Sequence, residues 1–342
     1  MTPKVVLVTG AGGYVGAHLA ARLAANPDIE RVLGVDTAPP AKDLLKSMGR
    51  AEFVRADIRN PLIAKVISSA RVDTVVHAAT TDSPPGPARR TAVKEMNVIG
   101  TMQLLAACQR SPQVGKLVVK SSAAVYGAGA RVPAVCTEDM APKDISSSGY
   151  AKDAVEVEGY VRGFARRRPD VRVTTMRLTN MIGPSIDTVL TRYFALPVVP
   201  TVLGFDARVQ LLHPEDALAV LERATTTDRP GVYNVGGDGV LTVSQAIRRA
   251  GRVAVPVPRI AMPTAARVFR SARVVDFSND QIQFLNYGRV VDTTRLKKDF
   301  GFTPRWSTRQ AFDDYVHGRG MHPVLNPERL AVLENRIRRT DG

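Results

Sequence analysis

Between residues 5 and 25 the chain changes its pattern twice within a few positions. Val5-Val6-Leu7-Val8-Thr9 is a continuous, largely β-branched run, Thr9-Gly10-Ala11-Gly12-Gly13-Tyr14-Val15-Gly16 follows it, and Gly16–Ala25 is rich in Ala and Leu. The first run has the character of a strand buried on both faces, as in a parallel sheet. The last is a helix stopped by Asn26-Pro27. Gly10, Gly13 and Gly16 stand three apart. Glycines so placed permit a tight turn, close approach of backbone to a pyrophosphate, and close helix–strand packing. The helix N-terminus then offers N–H groups and partial positive charge to phosphates. Few architectures accept such a unit, and all of them are α/β.

The rest of the first half repeats the alternation. Val32–Asp36, Glu52–Ala56, Thr74–His77 and Lys116–Ser121 are strand-like, and Lys94–Gln109 is a long helix with Met96, Ile99, Leu104 and Ala107 among its apolar positions. The second half continues with a helix at Lys152–Arg167 and a strand at Arg172–Arg177. Pro184–Pro200 reads as irregular, Pro214–Arg223 as helix, Val232–Val235 as strand, and Arg252–Val275 shows no period. The expected fold is a doubly wound, parallel-sheet Rossmann domain with a smaller C-terminal substrate lobe. Residues 1–180 form the first, with 209–250 returning to it; 181–208 and 251–320 form the lobe, and 321–342 a tail helix.

Asp36 closes the second strand. An acidic residue there accepts hydrogen bonds from an adenosine ribose 2′-hydroxyl and repels a 2′-phosphate, which predicts NAD rather than NADP.

Composition excludes more than it assigns. Apolar residues at 44% and charged residues at 23% exclude wholesale disorder. The net charge of +15, from 47 Lys and Arg against 32 Asp and Glu, invites a polyanion, an anionic membrane surface or an anionic small molecule. Its densest run, Arg162, Arg166, Arg167, Arg168 and Arg172, surrounds a helix end before Pro169, where cations complement the helix dipole without any ligand. The tail from Asn326 and Pro327 carries an apolar stripe of Leu330, Leu333 and Ile337 beside Arg329, Arg336, Arg338 and Arg339, and is expected to dock on its own domain. Aromatic-basic interleaving and helix-turn-helix signatures are missing, so nucleic acid is not an expected partner. His and Cys do not cluster as a metal site requires. Cys108 and Cys136 make no disulfide framework. The chain lacks an apolar run of about 20 residues and its first ten residues do not form a signal peptide, so the expectation is a cytoplasmic protein with no integral membrane segment.

Further motifs follow the glycine turn in order: Asp57-Ile58-Arg59, His77-Ala78-Ala79, Asn97 within Met96–Thr101, and Ser121-Ser122-Ala123-Ala124-Val125-Tyr126-Gly127. Then come Arg177…Gly183-Pro184, His213-Pro214-Glu215-Asp216, Tyr233-Asn234-Val235-Gly236 and Asp292…Phe300-Gly301-Phe302-Thr303-Pro304. Over about residues 1–315 the chain resembles the extended short-chain dehydrogenase/reductase family, which contains NAD-dependent sugar-nucleotide epimerases and dehydratases, and more narrowly the actinobacterial UDP-glucose 4-epimerase-like proteins. The resemblance implies that Thr9, Gly10, Gly13, Tyr14, Val15, Gly16 and Asp36 hold the dinucleotide, that Asp57 and Ile58 hold its adenine, and that Ala78 lines its path. Asn97 would support the active-site water and helix geometry. It implies a homodimer through the helices at Lys94–Gln109 and Lys152–Arg167. His77, ending a buried strand, reads as a packed and hydrogen-bonded residue rather than a catalytic one.

In the family a Tyr and a Lys four apart on one helix work with a Ser. The Lys lowers the Tyr pKa and the Ser binds the reacting oxygen. Ser122 fits the last role. The pair itself is broken in Ser147-Ser148-Gly149-Tyr150-Ala151-Lys152-Asp153-Ala154. If Lys152 is the family Lys, the Tyr position is Ser148, Gly149 matches the following glycine and Glu156 the acidic position. If Tyr150 is the family Tyr, the Lys position is Ala154 and Glu158 takes the acidic position. The first register carries more matches, with Lys152 on the nicotinamide ribose; Tyr150 in a turn before the helix would still reach the nicotinamide. Ser122, Tyr150 and Lys152 are therefore the candidate catalytic residues. For a substrate diphosphate Arg192, Arg208 and Arg289 are candidates, and none matches the family position cleanly. The expected function is an NAD-dependent epimerase/dehydratase acting by hydride transfer on a nucleotide-sugar or related alcohol. The alternative is an NAD-binding sensor or scaffold with impaired catalysis.

Overall fold

The computed structural model describes residues 3–80, 88–146, 149–258 and 279–324. Its strands are β1 (Val5–Thr9), β2 (Arg31–Asp36), β3 (Glu52–Arg55), β4 (Thr74–His77), β5 (Lys116–Ser122) and β6 (Arg172–Leu178). Then come β7 (Asn180–Met181), β8 (Val198–Val202), β9 (Arg208–Val209), β10 (Leu211–Leu212) and β11 (Gly231–Val235). The last are β12 (Leu241–Thr242), β13 (Val253–Val257) and β14 (Gly288–Arg289). Seven of them make the central sheet, in the order β11-β6-β5-β4-β1-β2-β3. Every pair in it is parallel. The chain winds outward from β1 in both directions, so the strand order reverses between β1 and β4, and ligands of such sheets bind outside the strand C-termini at that point.

The helices are α1 (Tyr14–Ala25), α2 (Lys42–Ser47), α3 (Ile63–Ser69), α4 (Ala88–Lys94), α5 (Gly100–Gln109) and α6 (Tyr150–Arg167). They continue as α7 (Val189–Ala195), α8 (Pro214–Thr226), α9 (Val243–Arg249), α10 (Asn279–Tyr287), α11 (Thr294–Lys298) and α12 (Thr308–Gly318). Alternation along β1 divides the core. Val6 and Val8 face α1 and α8 with Leu19, Leu23, Leu218 and Leu221. Leu7 faces the other side, with Leu104 of α5 and Val157 and Phe164 of α6. A second core, with Tyr193, Phe194, Ile247, Phe284, Phe312 and Tyr315, fills the smaller lobe.

Several elements differ from the sequence expectations. The chain does return to the sheet through α8 and β11, but α9 buries Ala246 and Ile247 in the second core instead. Pro184–Pro200 is not irregular: α7 starts there in a capping box between Thr188 and Thr191. The expected helix at Lys94–Gln109 is broken by a π turn at Glu95–Ile99, and such turns mark functional sites in many helices. Val253–Val257, within a stretch without period, pairs in parallel with β8; Pro200 and Pro256 are tolerated because this is a two-stranded ribbon with open edges. The tail stripe and Ser148 lie outside the described residues. Cys108 and Cys136 are free and buried. Among the described residues no helix is long and apolar enough to cross a membrane, and no cluster of metal-ligating side chains occurs.

His77 ties these layers together. Ala78 N donates to Thr9 Oγ1 (3.2 Å), so the Thr9 hydroxyl is free to donate to His77 Nδ1 (2.9 Å). His77 Nε2 lies 2.8 Å from Thr101 Oγ1, which itself donates to Asn97 O. One arrangement satisfies all four contacts: a neutral imidazole protonated on Nε2. Burial, with the Lys120 charge adding to it, pushes the His77 pKa down to about 4. The unfolded chain therefore takes up a proton near pH 6.5 and the folded one only near 4, so stability falls as pH drops through that window. Urea unfolding is expected to lose about 2 kcal/mol between pH 7 and pH 5 from this residue. His77→Gln should remove that share; an equally steep acid loss in the variant would assign it elsewhere.

Candidate active site

A cavity of about 500 Å³ opens at the C-terminal edge of the sheet. The glycine turn after β1, Asp36 ending β2, Ala78 after β4, and Ser121 and Ser122 ending β5 form one wall; α7, α10 and β14 form the other.

The three glycines have different reasons to be glycine. Gly10 has a φ of +77°, and a Cβ there would sit 2.7 Å from Ala79 Cα. A Cβ on Gly16 would run into Gly10 O. Gly13 is different: it lines the cavity, and the nearest atom a Cβ would meet is Gly10 O at 3.6 Å. The protein's own packing does not forbid a side chain there; what it would fill is cavity. Asp36 Oδ2 accepts from Gly12 N at 2.9 Å and Oδ1 from Thr37 N at 2.7 Å, which fixes the carboxylate beside the turn. Tyr14 Oη lies 3.0 Å from Ser185 Oγ, joining the turn to the smaller lobe.

Helix α6 starts at the cavity with Tyr150. Gly149 before it has a φ of +132°, and a Cβ at that position would collide with the Asp280 carboxylate. Asp280, on α10, accepts from Ala151 N at 3.2 Å and so takes a first-turn N–H of α6. Tyr150 and Ser122 line the same cavity. Ser122 Oγ accepts from Ala124 N (3.1 Å), which leaves its proton to donate. A narrow gap of about 10 Å³ continues behind Tyr150, bounded by Lys120, Asn97, Asp153 and Ala154. Asn97 Nδ2 donates to Asp153 Oδ2 at 3.3 Å.

Of the residues singled out from the sequence, Gly10, Gly13, Tyr14, Val15, Gly16, Asp36, Ala78, Ser122 and Tyr150 converge on the cavity. Thr9 is buried under it on His77. Asp57, Ile58, Asn97 and Lys152 are not among the cavity's lining residues. Asp57 is held by Arg59, whose guanidinium hydrogen bonds keep its carboxyl below the usual range. Ile58 is buried where Gly100 leaves room for it. Arg192 and Arg289 line the lobe side, whereas Arg208 does not. Arg192 pairs with Asp187 (3.0 Å) and Arg289 donates to Gly127 O (2.9 Å). Enclosure pushes the Arg289 pKa down to about 10, with Cys136, Asp280 and Tyr150 pulling the other way, so it stays cationic at neutral pH. Sequence reasoning missed Lys120, Asp153 and Asp280. Only the first left a signal, a lysine directly after the apolar Leu117-Val118-Val119 and before Ser121-Ser122.

A parallel sheet with a glycine turn at its reversal point and an acid closing the second strand defines a dinucleotide-binding α/β protein. The chain belongs to the NAD dependent epimerase/dehydratase family, whose model matches residues 6–236. It is 52% identical over 334 residues to the Mycobacterium tuberculosis protein named "Uncharacterized protein Rv0501", covering 98% of this chain and 89% of that one. It is 29% identical over 185 residues to the UDP-glucose 4-epimerase of Erwinia amylovora, covering 52% of this chain and 53% of that one. The fold is shared with dTDP-glucose 4,6-dehydratase from Bacillus anthracis, solved in complex with NAD, at a TM-score of 0.71 and 20% identity over 93% of this chain and 96% of that one. UDP-glucose 4-epimerase from Thermotoga maritima, solved with UDP-glucose, has a TM-score of 0.71 at 21% identity, over 92% of this chain and 98% of that one. The open space at Gly13 and the fixed carboxylate of Asp36 fit the family's dinucleotide.

Proposed function

We propose that this protein binds NAD in the cavity and interconverts a nucleotide-sugar, or a related alcohol, as an epimerase or dehydratase. The observation that carries the reading is the convergence of Ser122 and Tyr150 on the cavity lined by the glycine turn and Asp36. When bound, NAD supplies a two-electron acceptor that takes up a hydride and returns it. The protein's residues do the rest. Asp36 accepts the adenosine ribose hydroxyls, and the N-terminus of α1 faces the pyrophosphate. Ser122 donates to the substrate oxygen, and the Tyr150 phenol holds and moves that oxygen's proton. Arg192 and Arg289 offer planar N–H donors to a diphosphate from the lobe side. Asp57 and Ile58 toward the adenine, and Asn97 as support, remain part of the reading.

The register with Tyr150 as the family tyrosine has the better support. Ala154 borders the same gap as Tyr150, one helical turn on, and Lys152 is absent from the cavity's lining residues. The acidic position is then Glu158, buried against Arg177 and Ser121.

Purified protein is expected to retain NAD, and Asp36→Ala to weaken that binding at least about tenfold through the lost ribose bonds; unchanged affinity removes the ribose assignment. A panel of UDP- and dTDP-sugars should then yield an epimer or a keto product. Ala154 in the lysine position supports the second reading, an NAD-binding sensor or scaffold, and NAD retention without turnover on any sugar would select it. Sedimentation velocity on the same sample tests the proposed homodimer, for which Ile99, Met102 and Tyr160, 45%, 42% and 39% exposed on the paired helices, supply the apolar face.

A further inference from the structure

The gap behind Tyr150 is bordered by the short side chain of Ala154. In the preferred register this is where the family's lysine would project, yet the opposite wall of the same gap carries an ammonium group. Lys120 stands on β5, two residues before Ser122, and borders both the gap and the main cavity with Tyr150. Its place is fixed by the sheet. Lys120 Nζ donates to Thr80 O, three residues beyond β4, and Thr80 Oγ1 donates back to Lys120 O at 2.9 Å. The strand therefore delivers a cation to the edge where the dinucleotide cavity opens.

We infer that Lys120 is the charge partner of Tyr150, a lysine supplied from the strand in place of the one missing from the helix. This rests on Tyr150 as the group that moves the substrate proton. An ammonium beside a phenol favours the phenolate and lowers the pH at which it serves as a base. Lys120 adds to the lowering of the His77 pKa, so its charge is felt within this part of the fold. Other charges face Tyr150 from every side. Asp153 borders the gap from α6, Asp280 approaches from α10 and opposes Lys120, and Arg289 on β14 reinforces it. His77, neutral on β4, adds no charge. Lysine migration of this kind accounts for a cation at the cavity end of β5 and for the loss of the helix lysine in one step.

The test uses the full chain and reads Tyr150 without turnover. The phenolate absorbance of the full chain, freed of any retained dinucleotide, is titrated, and Tyr150→Phe treated alike identifies the Tyr150 step by subtraction. Tyr150 is expected to ionise below the ordinary tyrosine value of about 10. Lys120→Met should raise that pKa by about one unit or more, and Lys120→Arg should restore most of the shift. Lys120→Ala combined with Ala154→Lys, which returns the lysine to the helix, should also restore it. If the Tyr150 step is the same in wild type and Lys120→Met, with both folded by circular dichroism, the inference is overturned. So it is if Lys120→Arg behaves as Lys120→Met. NAD retention is measured on the same samples. A wild type that never binds NAD defeats the functional reading, while the phenol titration, made without dinucleotide, still decides the role of Lys120.

Discussion

Tyr150→Phe is expected to lower kcat by about 10²–10⁴-fold, the range for loss of a positioned acid–base group, with NAD retention unchanged. The reason is geometric. Tyr150 opens α6 at the cavity edge, held by Gly149 in a conformation that glycine tolerates and by Asp280 on the Ala151 N–H. Phenylalanine keeps the ring's packing and removes the oxygen. Lys152→Met, assayed beside it, separates the two registers. If Lys152 holds the nicotinamide ribose, that variant loses NAD; if Tyr150 is the family tyrosine, it keeps NAD and most of its turnover. Full activity in Tyr150→Phe would pass proton transfer to Ser122 with water, or to Ser148.

The parts legible in the sequence share one property: their signal is local. A continuous apolar run followed by a glycine turn and an Ala/Leu helix needs no partner to be recognised, and β1, α1 and Asp36 stand where their spacing puts them. Helix α7 was hidden because Thr191, not Glu or Gln, closes its capping box. The π turn at Glu95–Ile99 keeps the apolar pattern of a helix while changing its hydrogen bonds. Asp280 was hidden because it reaches the start of α6 only through the tertiary fold, and Lys120, visible as a lysine in β5, could not be placed beside α6 from spacing alone. The charge of +15 was legible as a number but not as a use. Arg168 was expected to complement the dipole of its own helix. It instead donates to Cys108 O (2.9 Å) and Val114 O (3.0 Å), around the end of the neighbouring α5. Arg50 binds Asn26 O and Ile29 O beyond α1, and Lys116 binds Thr225 O in α8. These three cations thus satisfy carbonyls at or beyond helix ends, which water or a cap must otherwise do.

Arg177→Met is expected to cost about 3–5 kcal/mol in urea unfolding, because it strands a buried carboxylate. The Arg177 guanidinium grips Glu158 through Nε to Oε1 (2.9 Å) and Nη2 to Oε2 (2.7 Å), with side chains 9% and 5% exposed. Nη1 donates to Tyr126 Oη (2.7 Å) and Glu138 O (2.9 Å), and Ser121 Oγ donates to Glu158 Oε1 (2.6 Å). Burial works against the Arg177 charge, but Glu158 more than offsets it and holds the guanidinium above its ordinary range. Burial likewise pushes the Tyr126 phenol up to about 12, so it stays protonated and donates to Asn234 Oδ1 (2.7 Å). Adding Glu158→Gln to Arg177→Met removes the stranded charge and keeps an acceptor for Ser121, so the double variant should recover part of the loss. A single-variant loss below about 1 kcal/mol would mean the pair behaves as an exposed one. The same network bears on the site. Glu158 lies eight residues, about 12 Å, along α6 from Tyr150. Its bonds to β5 and β6 set how far the helix slides over the sheet, and therefore where Tyr150 stands in the cavity it shares with Ser122. Arg177→Met should thus lower kcat even at temperatures where the protein remains folded, while NAD retention is expected to persist, because the glycine turn after β1 and Asp36 on β2 lie outside the network.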